Sequence, residues 1–323
     1  MKSLLTKREF FKKVEEKTIE DSDLECVKEN SILTVNLSGC LKITDNGISY
    51  LKNCNTLTLD YLKNISVSGF KNLQNIYCLS LAYCSQLTDD DLKYLSNISY
   101  LSIIYCTKIT DKGLKNLKSC IQVNISGCVQ VTDEGIESIS FVKNLSCNYF
   151  SKLTIEATTF MKDMTFVDLS YSRINDKWLD NLSDVQALYL NGCKITDQGL
   201  KKLKSTKILS VLDANITDEG LKNSSKYINN LNINGCLEIN GSCFECMPNL
   251  QILQAQNTFI TSQSLEPLLP ILITLNISNC SFVFIDENMA KKFKILKNLT
   301  LNKTQVSEQT INSYFQNVAI TFV

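Results

Sequence analysis

The stretch ISYLSIIYCTKITDKGLKNL, running from Ile98 to Leu117, decides the fold. Leu101 and Ile103, separated by Ser102, have the two-residue period of a strand with one buried face. Cys106 stands three residues on, where the chain must turn away from a sheet, and a small buried side chain there can hydrogen-bond the loop backbone. Thr110-Asp111 then reads as a helix start, because both side-chain oxygens can accept from free N–H groups of a first turn. Leu114 and Leu117 follow at helical spacing and face inward. One unit is therefore strand, turn and short helix.

The unit recurs along the chain. Its apolar pair falls at Val35/Leu37, Leu57/Leu59, Leu79/Leu81, Leu101/Ile103, Val123/Ile125, Leu145/Cys147 and Val167/Leu169, six consecutive steps of 22 residues. Steps of 21 to 24 carry it on through Leu188/Leu190, Leu209/Val211, Leu231/Ile233, Leu253/Ala255, Leu275/Ile277, Leu299/Leu301 and Ile320/Phe322. Such a period predicts an α/β solenoid (a horseshoe) with one curved parallel sheet on the concave side and short helices on the convex side. We expect a capping helix plus half a repeat over 1–30, then about thirteen repeats and a terminal strand over 31–323.

The phrase Cys-x-x-Ile-Thr-Asp-x-Gly-Leu resembles the cysteine-containing subtype of the leucine-rich repeats. Its cysteine position holds Cys40, Cys84, Cys106, Cys128, Cys193, Cys236 and Cys280. The helix-start phrase is clean at Thr44-Asp45, Thr88-Asp89, Thr132-Asp133, Thr196-Asp197 and Thr217-Asp218, and degraded at Thr154-Ile155. That subtype is familiar from F-box substrate receptors of ubiquitin ligases, from mitotic-exit regulators without an F-box, and from some proteins that intracellular bacteria deliver into hosts. The resemblance implies a protein-binding scaffold, a ubiquitin-ligase adaptor whose F-box is supplied by another chain or lost, or a host-directed effector of an intracellular microbe. Residues 1–31 do not resemble an F-box.

Composition narrows the function classes. Lysine plus arginine balance aspartate plus glutamate at 33 each, so no net charge points to nucleic acid or an anionic membrane. The first residues lack the apolar core and cleavage site of a signal peptide, and the expected compartment is cytoplasmic. The chain has fourteen cysteines; most recur at one turn position, which reads as small buried residues in a reducing compartment, not as disulfides. Histidine is absent, removing the commonest general base and metal ligand. No phosphate-cradling or nucleophile-elbow motif occurs. We therefore expect no enzyme activity, no metal and no cofactor. The one nominal catalytic motif, Cys243-x-x-Cys246, is a lone pair within one repeat and a weak signal.

At the N-terminus, Thr6-Lys7-Arg8-Glu9 fits a capping box, and a helix from about Thr6 to Lys17 would lay Phe10, Phe11 and Val14 over the first repeat. The remaining signals lie on the concave face. Between the buried leucines it is polar and nearly uncharged, broken by outward-directed Tyr100, Ile104, Phe166 and Tyr189. Beside the cysteine position, Tyr61, Tyr83, Tyr105, Tyr149 and Tyr171 form a ladder that serves either turn packing or recognition. With Asp60 and Asp168, the residues Tyr83, Tyr100, Ile104, Tyr105, Tyr149, Phe166, Tyr171 and Tyr189 make the candidate partner-binding surface, since aromatic anchors dominate interfaces. The partner is expected to be a protein, the chain a monomer, and strand 318–323 a further point of contact. Trp178 stands where other repeats have the helix glycine, either packed over a neighbouring repeat or making an outer contact.

Overall fold

Each Leu-x-Leu pair forms a strand, because alternation places the central leucine on the buried face and its flanking polar residues on the open one. The computed structural model describes residues 5–323, so residues 1–4 of the expected capping segment lie outside the described residues. The chain divides into two compact units, Met1–Met164 and Thr165–Val323.

In the first unit the strands are β1 (Thr34–Asn36), β2 (Thr56–Thr58), β3 (Cys78–Ser80), β4 (Tyr100–Ser102), β5 (Gln122–Asn124) and β6 (Asn144–Ser146). All pair in parallel, and the register runs Val35, Leu57, Leu79, Leu101, Val123, Leu145. The second unit repeats this with β7 (Phe166–Asp168), β8 (Ala187–Tyr189), β9 (Ile208–Ser210), β10 (Asn230–Asn232), β11 (Ile252–Gln254), β12 (Thr274–Asn276), β13 (Asn298–Leu301) and β14 (Ala319–Phe322). Its register runs from Val167 through Leu188, Leu209, Leu231, Leu253, Leu275 and Leu299 to Ile320. The aligned leucines are buried, each contributing roughly 1.5–3 kcal/mol of transfer free energy. On the far side of the strands lie short helices, several of them single 3-10 turns such as Asp91–Leu95 and Asp176–Asp180.

The helix-start phrase does more than cap. Thr110 does cap its own turn, accepting from the Lys112 N–H at 3.3 Å. The aspartate does not cap its own helix, as the sequence had suggested; it reaches one repeat forward. Asp89 accepts the Thr110 N–H at 2.8 Å and its hydroxyl at 2.6 Å, and Asp111 does the same for Thr132, both at 2.7 Å. In the second unit Asp176 clasps Thr196, and Asp197 clasps Thr217. The phrase's glycine makes room for this carboxylate: a β-carbon at Gly113 or Gly199 would collide with Oδ1 of Asp89 or Asp176. Where Val67 replaces the aspartate, Thr88 turns to Asp91 of its own repeat, at 2.7–2.8 Å.

Helix α1 (Lys7–Glu15) begins at the expected capping box and ends at Lys17, whose φ of 56° closes the helix. Phe10 and Val14, four residues apart, share the buried face; Phe11 is 37% exposed and meets the Phe10 ring edge-on at 5.2 Å. Behind it, Asp21 clasps Thr44 as later aspartates clasp their threonines.

Candidate partner-binding surface

Each strand from β1 to β12 is left through one residue in the left-handed backbone region. Its N–H completes the sheet ladder, as Tyr83 N–H does to Ile104 carbonyl at 2.8 Å. The next N–H, that of the cysteine, turns back onto its own strand, as from Cys106 to the Ile103 carbonyl at 3.2 Å. Only a positive φ lets two successive N–H groups point these two ways. Glycine takes it freely, as at Gly127 and Gly192, but tyrosine holds it at Tyr61, Tyr83, Tyr105, Tyr149 and Tyr171, with φ of 54–64°. Such a conformation costs a bulky residue about 1–2 kcal/mol.

The tyrosines therefore project from the turn beyond the strands. Tyr83, Tyr105, Tyr149 and Tyr171 thus line the rim of the sheet. In the first unit the rings form a stack, with centroids 4.7 Å apart for Tyr61–Tyr83, 5.0 Å for Tyr83–Tyr105 and 6.1 Å for Tyr105–Tyr149. The Tyr105 ring lies over Gly127, which leaves it space. Tyr61, Tyr83 and Tyr149 remain 40–48% exposed. In the second unit Tyr171 is 49% exposed, its ring packed over Gly192.

Tyr100 and Ile104 lie on the open face of the first unit, half-buried. Tyr100 meets Tyr77 at 5.1 Å, and their hydrogen bond holds the Tyr77 phenol above its ordinary pKa. Tyr77, 46% exposed, extends the aromatic surface and was missed; large apolar residues at the same register, Leu33 and Ile121, were the signal. In the second unit Phe166 and Tyr189 pair at 5.2 Å.

Asp60 and Asp168 have structural work to do. The strand leaves an N–H beyond its end that must be satisfied, and the side chains of this face satisfy it. Asp60 Oδ1 accepts from Ala82 N–H at 2.9 Å and Ser80 hydroxyl at 2.6 Å. Asp168 Oδ1 accepts from Ser170 N–H at 3.0 Å and its hydroxyl at 2.6 Å.

The cysteine position is buried as expected, but its thiol reaches backwards by one repeat. Cys84, Cys106 and Cys128 donate to the carbonyls of Leu59, Leu81 and Ile103 at 3.2–3.4 Å, and Cys236 to Val211 at 3.2 Å. Burial pushes the Cys84 and Cys236 thiols up to about 11 and Cys128 to about 12, so they stay protonated and inert. Cys243 is fully buried beside Asp218, which together with burial holds its thiol protonated, while Cys246 is exposed. The two therefore do not share a reactive environment. Among the described residues no cluster of three or more His, Cys, Asp or Glu side chains has metal-binding geometry. Trp178 is buried.

The Leucine Rich repeat family profile matches residues 181–204. No curated protein matches the sequence. Among solved structures, the chain is similar to the yeast Rad7 and Elc1 complex, at 15% identity and a TM-score of 0.64, over 98% of this chain and 94% of that one. It is also similar to the TLR13–ssRNA13 complex, at 17% identity and a TM-score of 0.59, over 87% of this chain; it spans 44% of that longer one. An internalin, inlF of Listeria monocytogenes, matches at 17% identity and a TM-score of 0.50, over 94% and 89% of the two chains. With the parallel strands, the short helices and the 22-residue period, these likenesses establish the fold as a leucine-rich-repeat solenoid.

Proposed function

We propose that the chain is an interaction scaffold whose partner is a protein, bound through the open sheet face and the tyrosine rim. The observation that carries this reading is the stack of exposed tyrosines in left-handed backbone at positions that glycine fills elsewhere. Exposed, pre-positioned aromatics are the usual anchors of protein interfaces. The nearly uncharged face favours a protein over nucleic acid or an anionic membrane, and the buried reduced cysteines suit a cytoplasmic setting. Binding, not catalysis, is the activity such a surface supports.

A photo-crosslinking amino acid at Tyr83 or Tyr100 should capture a protein partner in the source cell, whereas one at Lys115 or Lys202 on the helix side should not. The reverse pattern would move the working surface to the helices.

A second reading, an adaptor for ubiquitin ligation, draws on the cysteine-containing phrase and on the nearly end-to-end likeness to Rad7, solved together with Elc1. It requires cullin-type ligase subunits among the captured proteins. A host-directed effector would use the same surface and differ only in capturing proteins of a host cell.

A further inference from the structure

The hydrogen bonds on the open face of residues 165–323 fix which way its carboxamides point. A backbone N–H only donates, so the carboxamide atom facing it must be oxygen, and the NH2 is turned outward. Asn191 Oδ1 accepts the Leu212 N–H at 3.0 Å and the Ser210 hydroxyl at 2.7 Å. Asn232 Oδ1 accepts the Asn234 N–H at 3.1 Å, and Asn234 Oδ1 accepts the Gln256 N–H at 2.7 Å. Gln254 Oε1 accepts from the Asn276 NH2 at 3.0 Å. Among the described residues, the NH2 groups of Asn191, Asn232, Asn234 and Gln254 meet no protein acceptor. Half-buried Ile208, Leu212 and Ile252 lie between them, and the strand positions of this face hold no lysine or arginine. The nearby acids are Asp168, engaged with Ser170, and Asp213 on the rim.

The face therefore offers hydrogen-bond donors and apolar surface, with the oxygens of Asn191, Asn232, Asn234 and Gln254 each holding at least one donor. We propose that it takes a neutral, proline-rich segment of a partner protein in polyproline II conformation; this rests on the protein-binding reading above and narrows it. Proline has no N–H, and a polyproline II backbone makes no internal hydrogen bonds, so such a segment presents free carbonyls and no competing donors. An ordinary extended peptide brings an N–H at every residue to a face whose outward carboxamide groups are themselves donors. A polyanion finds no cation at the strand positions, and Lys207, just before β9, donates to the Gln186 side-chain oxygen at 3.3 Å. The pitch also fits: Asn191 and Asn234 hold the same register two strands apart, about 9.6 Å at ~4.8 Å per strand, and one polyproline II turn rises about 9.3 Å. The Phe166–Tyr189 pair supplies the aromatic shelf on which proline rings pack.

The test is fluorescence anisotropy with the full chain and three labelled peptides of about twelve residues: polyproline, glycine-serine and oligoglutamate. Polyproline alone should bind saturably, with an affinity that changes less than ~2-fold with salt, since no charge pairs form. Asn191→Asp and Asn234→Asp each keep the oxygen that holds the backbone N–H but replace the outward donor with an acceptor. Each should weaken polyproline binding by ~5-fold or more without lowering the melting temperature, and Gln254→Glu should do the same should either variant be poorly folded. Equal binding of the glycine-serine peptide, unchanged affinity in folded aspartate or glutamate variants, or no polyproline binding at millimolar concentration overturns the proposal. If crosslinks form at Tyr100 while polyproline is ignored, this inference falls and the scaffold reading stands.

Discussion

The two units solve one backbone problem with different residues. Residues 5–164 hold the left-handed turn with Gly39, Tyr61, Tyr83, Tyr105, Gly127 and Tyr149; residues 165–323 hold it with Tyr171, Gly192, Asp213, Gly235, Asn257 and Asn279. The second set consists mainly of residues that tolerate positive φ. The first carries strain of about 1–2 kcal/mol per tyrosine, offset by stacking of about 0.5–1.5 kcal/mol per ring pair. Turn geometry alone therefore does not select the ladder. Over four tyrosines the strain comes to roughly 4–8 kcal/mol, at best matched by roughly 1.5–4.5 kcal/mol from three ring pairs, so the ladder brings the fold no net benefit, and what remains is the exposed aromatic surface.

Four experiments would break or sharpen this comparison. The largest effect belongs to what the units share. Cys106→Arg and Cys236→Arg should each destabilise by about 3 kcal/mol or more, because neither charge can be solvated at a buried turn. Cys106→Ser should lose about 1 kcal/mol or less, and matching urea midpoints for the serine and arginine variants of Cys106 would remove the burial claim. Next, Gly113→Ala and Gly199→Ala should cost a similar ~1–3 kcal/mol, since in both units a β-carbon displaces the clasping aspartate. A silent substitution at either site would mean that the clasp gives way easily.

The units should part at the left-handed turn. Gly235→Tyr should cost about 1–2 kcal/mol, having Asp213 and Asn257 as register neighbours and no ring to stack on. Gly127→Tyr should cost more, because the Tyr105 ring lies over Gly127 and must move to admit a β-carbon. Equal losses would show that the Tyr105 ring gives way freely. Smallest, with no effect on stability, alkylation of the folded protein should modify Cys246 in the second unit first, with half-buried Cys78 slower and the buried thiols silent. Rapid labelling of Cys243 would contradict its burial.

The fold was legible because a solenoid writes its core as a period: Leu57, Leu79 and Leu101 are 22 apart in sequence and adjacent in the sheet. What pattern could not supply was direction between repeats. Asp89 beside Thr88 looks like a cap in a single repeat; only stacking reveals that it serves Thr110 of the next one. The rim tyrosines were visible as a series, but the two-residue alternation that locates a side chain on a sheet face ends where φ turns positive. Tyr77 was hidden because it precedes its strand. The outward NH2 groups depend on which N–H each oxygen meets, and no sequence pattern records that.

The most direct measurement replaces Tyr61, Tyr83, Tyr105 and Tyr149 with glycine together and compares urea unfolding of that chain with the parent. If the ladder is a surface and not a brace, relieved strain of roughly 4–8 kcal/mol is offset by roughly 1.5–4.5 kcal/mol of lost stacking and by the roughly 2–4 kcal/mol of chain entropy that four glycines add, and stability should stay within about 2 kcal/mol. A loss above about 4 kcal/mol, more than the stacking of three ring pairs supplies after strain relief, would show that the tyrosines hold the first unit together and would contradict the account.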